Sequence, residues 1–219
     1  MAHAGQDHWD AVYEKKGASE VSWYEPRPEK SLQLIRATGI EATEPVIDVG
    51  GGASLLLDEL LRAGYTDLTV LDISATVLGK LRTRLGSAAS SATLLHQDVT
   101  VFQPTRQYAV WHDRAVFHFL TGREDRERYL AALRQGVRPG GHIVIATFGP
   151  SGPEKCSGLP TVRYDAATLA TELGSDFALI DSFLVVHRTP WNADQQFLYC
   201  RFRALPESPP LPCPSRHTW

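Results

Sequence analysis

Apolar positions along the chain fall into short β-branched runs, separated by stretches with helical spacing. Val46, Ile47 and Val49 form the first run, too continuous for a strand with one wet face, and Gly50-Gly51-Gly52 follows it directly. The glycines predict a turn at dihedrals closed to other residues, after which Ser54 is placed to cap a helix. Leu55, Leu56, Leu60 and Leu61 give that helix a broad apolar face, with Asp58, Glu59 and Arg62 left in water. Leu68 to Asp72 predicts a second strand, followed by Ser74 and a helix carrying Val77, Leu78, Leu81 and Leu85, which completes a right-handed βαβ unit. Thr93 to Asp98 and Tyr108 to Asp113 predict two more strands. The span 123–136 reads as a charged helix with Tyr129, Leu130 and Leu133 turned inward, and Pro139-Gly140-Gly141 as the connection to a fifth strand, His142 to Phe148.

The flanks carry different patterns. Residues 7–16 put Trp9, Val12 and Tyr13 on one helical face, with Asp7 as cap and Gly17 as stop. The loop from Val21 to Pro28 sets Trp23 and Tyr24 before two prolines that keep it out of a helix, and aromatic loops of this kind cover ligands or fill crevices. A helix with Leu32, Leu34 and Ile35 then runs to Gly39. After the fifth strand come a Gly/Pro/Ser-rich loop from Gly149 to Leu159 and a helix capped by Asp165. Two final strands, 178–187 and 196–203, are joined by a segment too short for a crossover helix, so they pair antiparallel. The reading is one α/β domain over 1–205: a Rossmann-like three-layer sandwich with a mostly parallel seven-stranded sheet, a C-terminal antiparallel hairpin, and an N-terminal helical lid over about 1–39. The proline-rich stretch 206–219 is expected to be disordered.

Composition narrows the picture little. The formal charge of −3, from 22 basic and 25 acidic residues, argues against a broad nucleic-acid or anionic-membrane surface. No run approaches the roughly 18 apolar residues of a membrane span, and the N-terminus lacks a signal-peptide pattern, so a cytoplasmic location is expected. Three widely spaced cysteines suggest neither a disulfide framework nor a metal site.

Acids are more informative. Asp48, Asp72, Asp98 and Asp113 each stand at the carboxyl end of a predicted strand, so in an open parallel sheet all four are expected to face one crevice. A nicotinamide site would want a third glycine where Leu55 stands, and the carboxylate of Asp48 two residues before Gly50 repels a pyrophosphate while suiting an ammonium group. With Asp-x-Gly-Gly-Gly, the strand-end acids and the closing hairpin, the chain resembles the class I, seven-stranded S-adenosylmethionine-dependent methyltransferases over roughly 7–204. The resemblance implies that Asp48, Gly50, Gly51 and Gly52 hold the methionine part of S-adenosylmethionine, and that Asp72 holds its ribose with Ile73 against the adenine. It implies Asp98 and Val99 at the adenine amino group, Asp113, Arg114 and Ala115 at the methyl site, and S-adenosylhomocysteine as product. Trp23 is placed over the same ligand. An NAD(P)-dependent oxidoreductase is the less favoured alternative.

No Ser-His-Asp or Cys-His constellation is legible, and methyl transfer needs none, because the sulfonium already carries an electrophilic methyl. His118 is the candidate general base, weighed against a histidine packed between Phe117 and Phe119. His112 reads as a neighbour of the sheet. Cys156 lies in a loop able to close over substrate, and Arg188 and Trp191 in the last connection offer either substrate contacts or surface packing. The missing Asn/Asp-Pro-Pro-Tyr/Phe motif argues against DNA adenine and glutamine acceptors. Asp113-Arg114-Ala115 is similar to the Asp-Lys-Gly of lysine methyltransferases that modify elongation factor or citrate synthase. A small-molecule acceptor is the leading expectation and a protein side chain the alternative; the oligomeric state is left open.

Overall fold

The computed structural model describes residues 5–206, so the predicted disordered tail from 207 onward, and the first four residues, lie outside the described residues. Strands β1 (Val46–Val49), β2 (Leu68–Asp72), β3 (Ala92–His96), β4 (Tyr108–Arg114), β5 (Val137–Phe148), β8 (Phe177–Arg188) and β9 (Asp194–Ala204) form one sheet in the order β3-β2-β1-β4-β5-β9-β8. The first five are mutually parallel; β9 runs against both β5 and β8, which gives the expected C-terminal hairpin. Between them, β6 (Lys155–Cys156) and β7 (Leu159–Pro160) make a small separate ladder inside what the sequence reads as an open loop.

Strand parity decides what each face holds. Ile47, Val49, Trp111, Ile143 and Ile145 point to one side, where they pack with Tyr129 and Leu133 of α5 (Arg123–Gly136) and Leu169 and Leu173 of α6 (Ala166–Leu173). Val46, Val70, Val110 and Val144 point to the other, against Leu32 and Ile35 of α2 (Glu29–Arg36), Leu56 and Leu60 of α3 (Leu56–Arg62) and Leu78 and Leu81 of α4 (Ala75–Leu85). This is the predicted three-layer sandwich, with side chains alternating across a doubly covered sheet. Among the described residues no helix is long and apolar enough to cross a membrane.

Several boundaries differ from the sequence reading for local reasons. Helix α1 (Gln6–Lys15) starts at Gly5 with no side-chain cap, and Asp7 sits in its first turn instead of capping it. Asp165 caps α6 as expected, accepting from the Thr168 amide at 2.8 Å. Strand β5 begins five residues early because Val137 already pairs with Tyr108. The chain then bulges through Pro139-Gly140, with Gly140 at φ 72°, before pairing resumes at His142. Strand β3 stops at His96, which leaves Asp98 to cap the following turn through the Thr100 amide.

Parity also separates the fourth predicted acid from the others. Asp113 lies on the α5 face with Trp111, fully buried. It accepts from the amides of Val116 and Phe117 and from the Tyr129 hydroxyl at 2.7 Å, while Tyr129 in turn accepts from Trp111 Nε1 at 3.0 Å. Burial pushes its carboxyl up to about 6, against the hydrogen bonds that favour the charged form. Asp113 therefore shapes the turn after β4 from below and does not face the crevice. Replacing Tyr129 by Phe removes a side-chain donor from this buried carboxylate and is expected to cost about 1–3 kcal/mol in urea unfolding, with the fold retained.

Candidate functional site

A deep pocket opens at the carboxyl ends of β1, β2 and β4 and the turn after β3, with an empty volume of about 1110 Å³ that includes its open mouth. Its floor is the turn after β1. Of the three glycines only Gly50 needs glycine for its dihedrals, at φ 69°; the other two are required by space. A Cβ on Gly51 would stand 2.2 Å from Asp48 Oδ2, and one on Gly52 would stand 2.4 Å from Val77 and 2.9 Å from Asp72 Oδ2. Ser54 is not the N-cap of α3, which starts one residue later than predicted, although its hydroxyl accepts the Leu56 amide at 3.0 Å.

Two buried acids flank this turn. Asp72 accepts from the Gly52 amide at 3.1 Å and the Ser74 amide at 2.9 Å. Burial raises its carboxyl to about 6 in spite of those bonds, with Asp48 and Asp10 adding like charge. Asp48 pairs in register with His112 on β4, and the shared parity of the two positions brings their side chains together. His112 Nδ1 donates to Asp48 Oδ1 at 2.6 Å, and its Nε2 lies 2.8 Å from the hydroxyl of Ser31 on α2. The Ser-His-Asp chain that no sequence spacing revealed is therefore present, assembled from three elements. Its serine is fully buried, so the chain holds Asp48 in place and presents no nucleophile. Asp48 Oδ2, out of solvent contact, makes no hydrogen bond among the described residues.

The N-terminal segment roofs the pocket. Trp9 and Tyr13 of α1, with Trp23 and Tyr24, line it together with Phe119; Trp9 meets Phe119 edge-on at 5.0 Å and Trp23 at 5.9 Å. Asp10 fastens α1 to the start of α4, accepting from the Ser74 hydroxyl at 2.6 Å and the Thr76 amide at 3.0 Å. Although burial opposes it, these bonds lower its carboxyl to about 2. Arg114 ties the roof to the sheet, donating from Nε to the Tyr199 hydroxyl at 2.9 Å and from Nη1 to the Trp23 carbonyl at 2.7 Å. Its Nη2 lies 3.1 Å from Glu25, and the guanidinium stacks over Phe197.

Of the candidates named from sequence, Trp23, Asp48, Gly50, Gly51, Asp72, Ile73, Asp98, Val99, Arg114 and Ala115 line this one pocket. Gly52 lies just behind it, bonded to Asp72. Asp113 and His118 do not line it. His118 is fully buried among Phe119, Phe148 and Phe197 and accepts the Phe148 amide on Nδ1 at 3.1 Å. Burial, aided by the Arg114 charge, holds its pKa at about 3. That is a packed, neutral histidine, the bland alternative to a base. Cys156 is buried in β6 against Ser22, 3.6 Å away, and burial raises its thiol; Arg188 pairs with Asp194, and Trp191 is exposed away from the pocket. The sequence reading missed the pocket-lining roles of Trp9, Tyr13, Glu25, Gln97 and His112. For His112 a signal existed: an acid and a histidine at matching distances from the ends of two strands that neighbour each other in this topology.

The architecture is the seven-stranded fold of the class I methyltransferases. Residues 46–141 match the family model of the methyltransferase domain. The eEF1A lysine and N-terminal methyltransferase of Mus musculus is 26% identical over 149 residues, which cover 65% of this chain but only 21% of that longer protein. Among solved structures, one concerning conversion of a disulfide bond into a thioacetal group during echinomycin biosynthesis superposes with TM-score 0.76 at 20% identity, over 93% of this chain and 94% of the other. The N-methyltransferase NodS from Bradyrhizobium japonicum, solved with S-adenosyl-L-homocysteine, gives TM-score 0.68 at 19% identity, over 90% and 99%.

The packing at the turn has a direct test. Gly51→Ala forces Asp48 off its His112 contact and is expected to cost about 1–3 kcal/mol. By contrast, Gly79→Ala, in open space inside α4, is expected to stabilise by about 0.5–1 kcal/mol. Urea midpoints of both variants against the parent check the contrast.

Proposed function

We propose that this protein transfers the methyl group of S-adenosylmethionine to a nucleophile on a small molecule. The observation that carries the reading is the pairing of Asp48 and Asp72 across a glycine turn that leaves no room for a Cβ, on the floor of one aromatic-roofed pocket. The residues present fit the cofactor. Asp48, whose Oδ2 lacks any donor, suits the methionine ammonium, and the carboxylate of Asp72 has lone pairs left for two ribose hydroxyls. Ile73 and Val99, which line the same pocket, would flank the adenine, with Asp98 toward its amino group. Ala115, Arg114 and Trp23, also in the lining, would stand at the methyl site. When bound, the sulfonium supplies an activated methyl and a neutral leaving group. The chain's own contribution is placement: the floor fixes one reactant, and the roof excludes water and aligns the other. His118 has no part in it.

A small-molecule acceptor is supported by the roof of four aromatic side chains from α1 and the following loop, and by the acidic lining, which opposes a nucleic acid. The fold likeness to a protein from echinomycin biosynthesis points the same way. A protein lysine is the second reading, favoured by the relative that methylates eEF1A lysine and by Asp113-Arg114-Ala115. A cytoplasmic setting fits the buried, unpaired thiols of Cys156 and Cys200.

Calorimetry with S-adenosylhomocysteine and, separately, NADH tests the cofactor. The first is expected to bind, and Asp72→Ala to weaken it by about 1.5–3 kcal/mol, the range for charged hydrogen bonds; binding of NADH alone would overturn the reading. The raised carboxyl of Asp72 gives a pH test. Ribose hydroxyls favour its ionised form, so binding near pH 6 is expected to release a proton. Affinity should then rise about tenfold from pH 5 to pH 7 and level off above. Titrations in buffers of different ionisation enthalpy measure both effects, and a flat affinity would count against Asp72 as the ribose ligand. Labelled cofactor in a cell extract separates the acceptors: counts in metabolites are expected, counts in a protein band alone favour the second reading.

A further inference from the structure

We propose that the acceptor is an amine, and that Glu25 receives it at the roofed end of the pocket. This rests on the methyltransferase reading above and adds the reacting atom. Four carboxylates line the pocket, those of Glu25, Asp48, Asp72 and Asp98, against one guanidinium, that of Arg114. Three belong to the floor and the adenine end; Glu25 stands apart from them, on the loop of Trp23 and Tyr24. Arg114 is held by Tyr199, the Trp23 carbonyl and the face of Phe197, and its Nη2, buried without a hydrogen bond among the described residues, lies 3.1 Å from Glu25 Oε1, so its charge already faces a carboxylate. Glu25 is committed on one side only. Its Oε1 lies 3.1 Å from Arg114 and 3.8 Å from His187 Nδ1, while Oε2 is shut off from solvent and has no donor among the described residues.

A buried carboxylate oxygen without a donor is costly, and a ligand N–H supplies the missing partner. A small shift of the loop, whose Trp23, Tyr24 and Glu25 side chains are only partly buried, brings the oxygen to the bound group. The rings of Trp9, Trp23 and Phe119 line the same pocket as Glu25 and favour a cation there. The electron balance of the transfer selects the same chemistry. The lone pair of a neutral amine forms the new N–CH₃ bond, the S–CH₃ pair stays on sulfur as a thioether, and the positive charge moves from sulfur to nitrogen. A carboxylate beside the nitrogen stabilises that charge as it develops, with the N–H retained on Glu25 until release. A thiolate, phenolate or carboxylate would instead bring its own negative charge against Glu25.

The test offers the wild-type enzyme labelled S-adenosylmethionine with phenethylamine and tryptamine, matched arylethyl thiol, phenol and carboxylate compounds, and a lysine-containing peptide. The free amines are expected to be methylated with kcat/KM at least about tenfold above every matched compound. Glu25→Gln is expected to raise the amine KM at least about tenfold with S-adenosylhomocysteine affinity held within about twofold, which also shows that the variant is folded. Preference for thiol, phenol or carboxylate, or an unchanged KM in Glu25→Gln, overturns the proposal; labelling of the peptide lysine alone supports an amine acceptor while overturning the small-molecule reading. Binding of S-adenosylhomocysteine with no amine labelled overturns it too but leaves the methyltransferase reading standing, whereas failure to bind S-adenosylhomocysteine removes both.

Discussion

Asp48 is a carboxylate taken out of water at the end of a central strand, directly beneath a turn with no spare volume. Its position depends on one short hydrogen bond from His112 on the neighbouring strand, and His112 depends on the Ser31 hydroxyl of α2. A lone buried carboxylate would neutralise or pull the chain apart, so the sheet, the turn and α2 must be assembled around this pair together. The glycines follow from the same constraint. Gly51 is glycine because Asp48 Oδ2 occupies the space of its Cβ, and Gly52 because Asp72 and Val77 do. The turn is thus shaped by the acids on either side of it more than by its own dihedrals.

The roof has a comparable anchor in Arg114. Its side chain leaves β4 on the same face as His112, spans to Tyr199 on the C-terminal hairpin and to the Trp23 carbonyl, and packs on Phe197. The hairpin therefore does more than finish the sheet: it supplies the hydroxyl and the ring that hold a guanidinium between floor and roof. At the other end Asp10 pins α1 to the first turn of α4, next to the acid at the end of β2. The enclosed pocket exists because two charged side chains fasten a short N-terminal segment to opposite sides of the sheet's carboxyl edge.

Much of this is legible in the amino-acid sequence. Local pattern sufficed for the strands and helices because alternation and helical spacing are properties of neighbouring residues, and the covered β-branched runs point to a parallel sheet. That Asp48, Gly50 and Asp72 line one pocket was legible because residues that terminate neighbouring parallel strands meet at one edge of the sheet. The strand-end rule failed for Asp113, one residue past His112. Successive side chains leave a strand on opposite faces, so Asp113 went to α5 and Tyr129 while His112 and Arg114 went to the pocket.

The amino-acid sequence by itself determined the class of fold, the order of its elements and which residues form the floor of the pocket, since each depends on residues close together in the chain. The tertiary structure alone decided the partners that meet across it. Ser31, Asp48 and His112 come from three elements, Glu25 and Arg114 from a loop and a strand, and His118 is packed among three aromatic rings away from the pocket lining. No spacing encodes those meetings, because they follow from strand register and side-chain parity, which exist only once the sheet has closed.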